Sequence, residues 1–321
     1  MDAAFNLSNV VELITPGRFL FDAGKTPKDW NQKMLNDPHF QVLKYYADSR
    51  DVFSGVHFAG GVAITYRNTT ITQGAIQTFI PNDNLRGIFQ KVKKDTDDNG
   101  AISSIMILQN RFIMDALFAD YPEYKTYIDS KGEEKERTER RLVSSVISTF
   151  AVFHNDCQGT DDIQILGIEN GNCRIKRWIN AKYIEDNDNL HKYKVVVPKS
   201  YGTGLIIDGC SQIIGMPEVL GPGVGYTQSF IGIGQCSTNE EAVNISKYLK
   251  SKFCRVCLAI SKVTQDNPPE KWKYVPLQNF TSSSDIDWTK SIPEIDQQLY
   301  TKYGLTKDEI DFIEEKVKEM V

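Results

Sequence analysis

Lysines and a tyrosine cluster around residue 200, just before a segment rich in glycine. Lysines suit phosphate oxygens, and glycines allow a backbone to approach a ligand closely. Segment 192–204 is therefore a candidate contact surface for nucleic acid. A solvated strand edge protected by lysine explains the same pattern without a ligand. The candidate residues are Lys192, Lys194, Lys199 and Tyr201.

A second basic group accompanies segment 239–262, which the apolar spacing predicts as the longest helix of the chain. Glutamine can read adenine and arginine can read guanine through paired hydrogen bonds, so this helix face is a candidate for contacts with bases. A solvated helix face is again the alternative. The candidates are Lys250, Lys252, Arg255, Lys262 and Gln265. A third candidate group, Asn110 and Arg111, lies at a predicted junction of loop and helix.

Motifs for metal or nucleophile chemistry are weak. Cys254-Arg-Val-Cys257 has the spacing of a metal or redox site, but no second Cys or His pair complements it. The two cysteines share one face of the predicted helix, which favours buried small hydrophobes. The four histidines lack ligand spacing, and neither a Ser-His-Asp arrangement nor a nuclease-type carboxylate motif stands out. The sequence thus predicts no metal site.

Composition is that of an ordinary globular protein, with 40% hydrophobic residues in a chain long enough, at 321 residues, for two domains. The net charge of −5 argues weakly against non-specific nucleic-acid binding, but specific binding needs only a local basic face. No 18-residue apolar run or signal peptide is evident, which predicts a cytoplasmic protein without a membrane partner.

Apolar runs and turn signals predict an α/β fold in three parts. Runs at 10–14, 41–46 and 60–66 predict strands, with a helix over 22–36. A helix is predicted over 82–94, followed by an acidic linker at 95–100. A region rich in strands over 163–230 precedes the long helix, and a last helix opens at Thr306. The predicted domains are 1–95, 96–280 and a C-terminal wrap and helix at 281–321.

The order and spacing of the first three strands resemble the later half of the catalytic domain in DNA adenine methyltransferases. The closest resemblance is to the long restriction-modification enzymes of the type IIG-like class. Thr15-Pro-Gly-Arg-Phe19 resembles their motif VI, and the segment from Tyr45 to Phe53 resembles motif VII. Gly60–Tyr66 resembles motif VIII, the closing antiparallel strand. The resemblance continues through 192–199, 271–278, 285–292 and 297–306, and so covers nearly the whole chain.

This resemblance implies the C-terminal part of a Rossmann-like methyltransferase sheet, followed by an α+β target-recognition domain and a helical tail. Phe53 falls at the junction of motifs VII and VIII, where the family's aromatic residue packs on the flipped target base. A loop phenylalanine that plugs the end of the sheet is the alternative for Phe53.

The resemblance also implies S-adenosylmethionine as the cofactor of the intact enzyme. The family holds it with a glycine-bearing turn, and holds adenine with an Asn/Asp/Ser-Pro-Pro-aromatic tetrapeptide. Both precede motif VI, which here starts near residue 11, so this chain alone is expected to bind no cofactor. Asn267-Pro-Pro-Glu270 lacks the aromatic residue and is expected to be a Pro-Pro surface turn. No Gly-x-Gly-x-x-Gly opens a helix.

The sequence therefore predicts recognition of double-stranded DNA as the C-terminal portion of an N6-adenine restriction-modification methyltransferase. Its predicted partners are the DNA and an N-terminal methyltransferase portion or subunit. Two alternatives stay open. The chain could be a non-enzymatic specificity subunit of a split system, or a complete restriction endonuclease whose nuclease residues are not recognised.

Overall fold

A computed structural model describes residues 1–21, 25–56, 60–171, 173–202, 206, 210–262 and 264–320. The chain is of mixed α/β class with several small sheets. It divides into two compact units, Met1–Gly87 and Ile88–Val321. The division falls inside a long helix, and residues 95–99, predicted as a linker, form the last turn of that same helix.

The first unit is built on a three-stranded sheet. Its elements are α1 (Asp2–Phe5), β1 (Val10–Pro16), α2 (Lys28–Leu35), β2 (Phe40–Tyr46) and β3 (Val62–Asn68). Strand β3 lies between β1 and β2 and is antiparallel to both, so β1 and β2 run parallel to each other. The three predicted strands are confirmed. The predicted helix over 22–36 is shorter, because Pro27 precedes its first residue, Lys28.

One face of this sheet is covered and the other carries exposed apolar side chains. Phe40 and Ala63 pack with α2 and the turn at 17–21 on the covered face. Side chains alternate across a strand, so Val10 and Ile14 lie on the opposite face. Val10 is 50% exposed and Ile14 is 54% exposed. Glu12 lies between them on this face, and β1 is an edge strand, so its exposed apolar side chains and free edge favour association with another molecule.

The second unit contains two larger sheets and an exposed hairpin. Its strands are β4 (Met106–Ile107), β5 (Thr126–Ile128), β6 (Glu134–Glu136), β7 (Asp162–Glu169), β8 (Cys173–Asn180), β9 (Tyr193–Pro198), β10 (Glu218–Leu220), β11 (Val224–Tyr226) and β12 (Phe230–Cys236). One sheet is antiparallel, with the order β10-β9-β12-β4. The other has the order β11-β7-β8, with β11 parallel to β7. Strands β5 and β6 form the hairpin.

The remaining helices are α3 (Asp83–Asn99), α4 (Met114–Asp120), α5 (Ser144–Thr149), α6 (Asp188–His191), α7 (Asn239–Lys250), α8 (Lys252–Ala259), α9 (Ile292–Lys302) and α10 (Lys307–Lys316). Thr306 and Glu309 form the predicted capping box of α10. No helix among the described residues is both long enough and apolar enough to span a bilayer.

The helix predicted over 239–262 is broken at Ser251. Ser251 has extended backbone angles, ends α7 and caps α8 by accepting a hydrogen bond from the Cys254 N–H. The buried carboxylate of Asp296 accepts the Lys252 N–H at 3.0 Å and the Phe253 N–H at 2.9 Å. These oxygens satisfy backbone donors that have no partner within α8. The break thus depends on a residue 45 positions later in the chain.

Asp296 makes the stability of the second unit depend on pH. Burial raises the pKa of Asp296 from 3.8 to about 6, although the two backbone donors act in the other direction. The folded state therefore holds its proton more tightly than the unfolded chain does. The contribution of Asp296 to the free energy of unfolding is therefore full below pH 3.8 and is lost as the pH rises through about 6. The loss corresponds to at most about 3 kcal/mol.

We predict that Asp296→Asn removes this part of the pH dependence. Urea unfolding at several pH values between 4 and 7 would measure it. The free energy of unfolding of the wild-type chain should fall relative to that of the variant as the pH rises over this range. A constant difference between the two proteins would contradict the assignment.

The exposed sheet face predicts self-association. Replacing Val10 and Ile14 with threonine keeps the preference for strand and removes apolar surface, so association should weaken. Sedimentation velocity at increasing protein concentration would measure this, with Leu108→Thr as a control at an exposed apolar position of the second unit. A wild-type chain that stays monomeric at high concentration would contradict the prediction.

Candidate nucleic-acid interface

Three of the predicted DNA-binding cations lie in the protein interior. Lys194, Arg255 and Lys262 are all 0% exposed. The Lys194 ammonium donates to the carbonyl oxygens of Asn189 at 2.7 Å, Gly221 at 3.1 Å and Lys192 at 3.2 Å. Burial lowers the pKa of Lys194 to about 8. Lys194 therefore ties the segment before β9 to the residue that follows β10, at one end of this strand pair, and is not a phosphate contact.

Lys262 and Arg255 hold main-chain carbonyls in the same way. The Lys262 ammonium donates to the carbonyl oxygen of Tyr201 at 2.6 Å and to that of Gly202 at 3.0 Å. Arg255 donates to the Gln212 carbonyl at 3.2 Å and also to carbonyls at the end of α7. Burial lowers the pKa of both side chains, that of Lys262 to about 8. The predicted contacts of Arg255 and Lys262 with DNA are therefore wrong, because both side chains are buried and bind main-chain carbonyls.

Four other predicted DNA-binding residues make hydrogen bonds or ion pairs within the protein, through either their side chains or their main-chain carbonyls. Asn110 is buried, and its side-chain oxygen accepts the Tyr226 N–H at 3.1 Å. The Lys252 ammonium pairs with Glu314 at 2.5 Å. Lys192 and Lys250 are half-buried. The Lys192 carbonyl accepts a hydrogen bond from Lys194, and the Lys250 carbonyl accepts one from Arg255. The structure therefore gives no support to Asn110 as a reader of bases.

The remaining candidates of the second unit come together in one row of the structure. Five short segments lie side by side, joined by main-chain hydrogen bonds: 110–112, 140–142, 228–229, 199–201 and 265–267. We call this row the five-segment surface. It brings Arg111, Lys199, Tyr201 and Gln265 into one region, although they are far apart in the sequence. Arg111, Lys199 and Gln265 are exposed, and Tyr201 is 37% exposed.

An arginine pair forms one end of the five-segment surface. Arg111 and Arg141 face each other across an antiparallel bridge. The Phe112 N–H donates to the Arg140 carbonyl and the Leu142 N–H to the Asn110 carbonyl, which makes this a non-hydrogen-bonded pair. Side chains approach most closely at such positions, and like charges there repel. Arg141 was not among the predicted site residues, because it lies in a charged run of the sequence that is typical of a solvated loop.

Glu139 partly neutralises the arginine pair. Its carboxylate bonds to the Arg141 guanidinium and accepts the Arg141 N–H at 2.9 Å. These hydrogen bonds, with the charges of Arg141 and Arg111, lower the pKa of Glu139 to about 2. One carboxylate therefore serves two guanidinium groups, and the pair keeps a net positive charge that suits a phosphate.

A short two-stranded ribbon forms the other end of the five-segment surface. The Tyr201 N–H donates to the Gln265 carbonyl at 3.0 Å, and the Asn267 N–H donates to the Lys199 carbonyl at 2.8 Å. The Lys199 N–H in turn donates to the Ser229 carbonyl oxygen at 2.8 Å. This hydrogen bond joins the ribbon to the rest of the row. Thr203 and Gly204 of the predicted glycine-bearing loop lie outside the described residues.

The first residue of Asn267-Pro-Pro-Glu270 belongs to the ribbon and anchors it. Asn267 is fully buried, and its side-chain amide donates to the Pro198 carbonyl at 3.2 Å. Pro268 caps a short 3-10 helix, Pro269–Trp272. An asparagine held in this way cannot receive an adenine, so the tetrapeptide does not fit a base-holding or cofactor-linked role.

Phe53 lies in the first unit and presents an exposed ring. It follows a short 3-10 helix, Ser49–Asp51, and its N–H donates to the Ser49 carbonyl at 2.9 Å. Its exposure of 43% argues against the alternative in which this ring plugs the end of the sheet. Residues 57–59, which follow soon after, lie outside the described part of the chain.

The cysteine pair is part of the core. Cys254 and Cys257 are completely buried free thiols, and burial raises the pKa of both. A thiol of raised pKa is a poor nucleophile and a poor metal ligand. Within the described ranges, no group of three or more His, Cys, Asp or Glu side chains could hold a metal ion.

Comparison of the chain with protein-family models gave no match, and comparison with curated protein sequences gave none either. The function assigned to the five-segment surface therefore rests on its residues and their geometry.

Proposed function

We propose that the second unit binds double-stranded DNA sequence-specifically through the five-segment surface. In this proposal the chain is the recognition portion of a restriction-modification adenine methyltransferase. Arg111, Arg141 and Lys199 contact phosphates and set the register of the duplex, while Gln265 and Tyr201 contact bases. Phosphate contacts give affinity and base contacts give specificity.

The observation that carries the proposal is the convergence of these side chains in one hydrogen-bonded row. Neighbouring hydrogen-bonded chains are about 5 Å apart, so the row is at most about 20 Å long. Successive base pairs are about 3.4 Å apart along the duplex, so this length matches about six of them. The surface has the arginine pair at one end and Lys199 in the ribbon at the other end, with the neutral side chains of Tyr201 and Gln265 beside Lys199 and one exposed carboxylate, Asp266, in the outermost segment. That distribution suits a duplex whose phosphates flank readable base edges.

The topology of the first unit supports the methyltransferase part of the proposal. The resemblance assigns 60–66 to a closing antiparallel strand, and β3 is antiparallel to both of its neighbours. The exposed ring of Phe53 precedes that strand, where the family stacks an aromatic residue on the flipped base. In this proposal S-adenosylmethionine binds to a partner portion that carries the cofactor turn, and Phe53 contributes to the shared site.

The exposed apolar face of β1 favours one version of this proposal, a recognition subunit that pairs with a separate methyltransferase protein. Val10 and Ile14 would then be covered in the complex. Co-purification with an α/β methyltransferase subunit that supplies the cofactor turn would support this version. Unchanged exposure of the face in that complex would contradict it.

We predict that Lys199→Ala and Arg141→Ala each weaken duplex binding and flatten its salt dependence. Each lost phosphate contact should reduce the slope of log affinity against log salt by about 0.9. Gln265→Ala should leave the slope unchanged and relax the sequence preference by about 1–3 kcal/mol. Fluorescence anisotropy with labelled duplexes at four salt concentrations measures both quantities.

Lys250→Ala provides the matched control for this series, because it removes a lysine from α7 rather than from the five-segment surface. It should leave affinity and slope unchanged. A slope reduced by Lys250→Ala and unaffected by Lys199→Ala would place the DNA on the helix face and overturn the proposal.

We predict that Glu139→Gln tightens duplex binding. The variant removes the carboxylate that competes with phosphate for Arg111 and Arg141, so affinity should rise about two- to fivefold. Since the pKa of Glu139 is about 2, the gain should be constant between pH 5 and 8. Glu134→Gln, at an exposed position of the β5–β6 hairpin, is the control and should have no effect. Unchanged or weaker binding by Glu139→Gln would contradict this role of the arginine pair.

A further inference from the structure

The hydroxyl proton of Tyr201 is donated in a hydrogen bond within the protein. The hydroxyl donates to the side-chain oxygen Oε1 of Gln212 at 2.5 Å. This distance is below the range of about 2.7–3.2 Å for an amide N–H donor and lies at the short end of the range of about 2.5–3.0 Å for an O–H donor. A tyrosine hydroxyl has one proton and can still accept. The exposed side of Tyr201 therefore offers an acceptor to a ligand, not a donor.

Gln212 is held in place by a buried charge. The Gln212 carbonyl accepts from the fully buried guanidinium of Arg255 at 3.2 Å. The next residue, Ile213, is buried and has φ +69°, which is unusual for a β-branched side chain. Such strain persists only where the surroundings enforce it and is concentrated at functional sites. The backbone of Gln212 is thus fixed by the fold, and its side chain extends from there to the Tyr201 hydroxyl.

The backbone of Tyr201 is held from a different direction. The buried Lys262 ammonium donates to the carbonyls of Tyr201 and Gly202. A methyl group added at Gly215 would lie 2.7 Å from the Pro198 side chain and 3.1 Å from the Tyr201 ring, so the segment after Ile213 packs directly against this tyrosine. Main chain, ring and hydroxyl of Tyr201 therefore each have their own support.

We infer that Tyr201 determines sequence specificity by accepting a hydrogen bond from the exocyclic amino group of a base, adenine N6 or cytosine N4, in the major groove. This inference rests on the proposed function. The two-stranded ribbon of 199–201 and 265–267 fits the major groove, which is about 12 Å wide, but not the minor groove at about 6 Å. Thymine and guanine present acceptors at the equivalent edge, which a hydroxyl with a committed proton cannot satisfy.

Arg255 and Lys262 are positioning residues in this arrangement, and Gln212 sets the polarity of the Tyr201 hydroxyl. Replacing Gln212 with leucine frees the hydroxyl proton, so Tyr201 can then donate to thymine or guanine as well. Replacing Gln212 with glutamate keeps an acceptor in the same place and keeps the proton committed. The two substitutions leave the Gln212 carbonyl available to Arg255.

Selection from a pool of randomised duplex DNA, followed by sequencing, tests the inference with the full chain. The wild-type chain should enrich adenine or cytosine at one position, and the sequences show which of the two bases Tyr201 reads. Tyr201→Phe should lose a preference of roughly three- to tenfold at that position alone, the effect of one hydrogen bond. Gln212→Leu should lose the same preference, and Gln212→Glu should retain it.

The outcomes separate the inference from the function on which it rests. Enrichment that is identical in the wild type, Tyr201→Phe and Gln212→Leu would overturn the inference and leave DNA recognition standing. Loss of the preference in Gln212→Glu would also overturn it, because the committed proton would then be irrelevant. A wild-type chain that enriches no sequence would overturn the proposed function, and the inference with it.

Discussion

Buried cations fix several loop segments of the second unit, and two of them, Arg255 and Lys262, support the surface on which its proposed function depends. Lys194, Arg255 and Lys262 are completely removed from solvent and donate to main-chain carbonyls. An ion of this kind is costly to bury unless its donors are satisfied. The cost is offset only when the loops occupy the positions that provide those carbonyls. The segments at Lys192, Gly202, Gln212 and Gly221 thereby acquire defined positions.

The five-segment surface is a consequence of that constraint. Lys262 places the carbonyls of Tyr201 and Gly202, Arg255 places Gln212, and Asn267 bonds to Pro198. The ribbon that results joins the turn at Ser229 and, through it, the arginine pair of Arg111 and Arg141. The chain has a net charge of −5, yet this surface collects exposed cations. Local placement of charge, not the overall balance, decides what such a surface can bind.

Local patterns in the sequence correctly predicted those helices and strands whose positions are determined by capping residues or by the spacing of apolar residues. The strands of the first unit and the capping box at Thr306 are examples. The break at Ser251 could not be predicted, because it depends on the distant carboxylate of Asp296. Lysine and arginine carry no local signal of burial, so Lys194, Arg255 and Lys262 looked like surface cations. Residue type alone was enough to predict four residues of the candidate surface: Lys199, Tyr201, Gln265 and Arg111. Arg141 and Gln212 could be identified only from the tertiary structure.

Chemical footprinting of lysines tests most directly the claim that the five-segment surface, and not the basic helix, binds DNA. The chain would be treated with an amine-acetylating reagent, with and without random-sequence duplex DNA at low salt, and modification read by mass spectrometry. We expect DNA to protect Lys199 and to leave Lys250 and Lys252 unchanged, while Lys194 and Lys262 stay unmodified in both conditions. Protection of Lys250 and Lys252 with Lys199 unchanged would contradict the account.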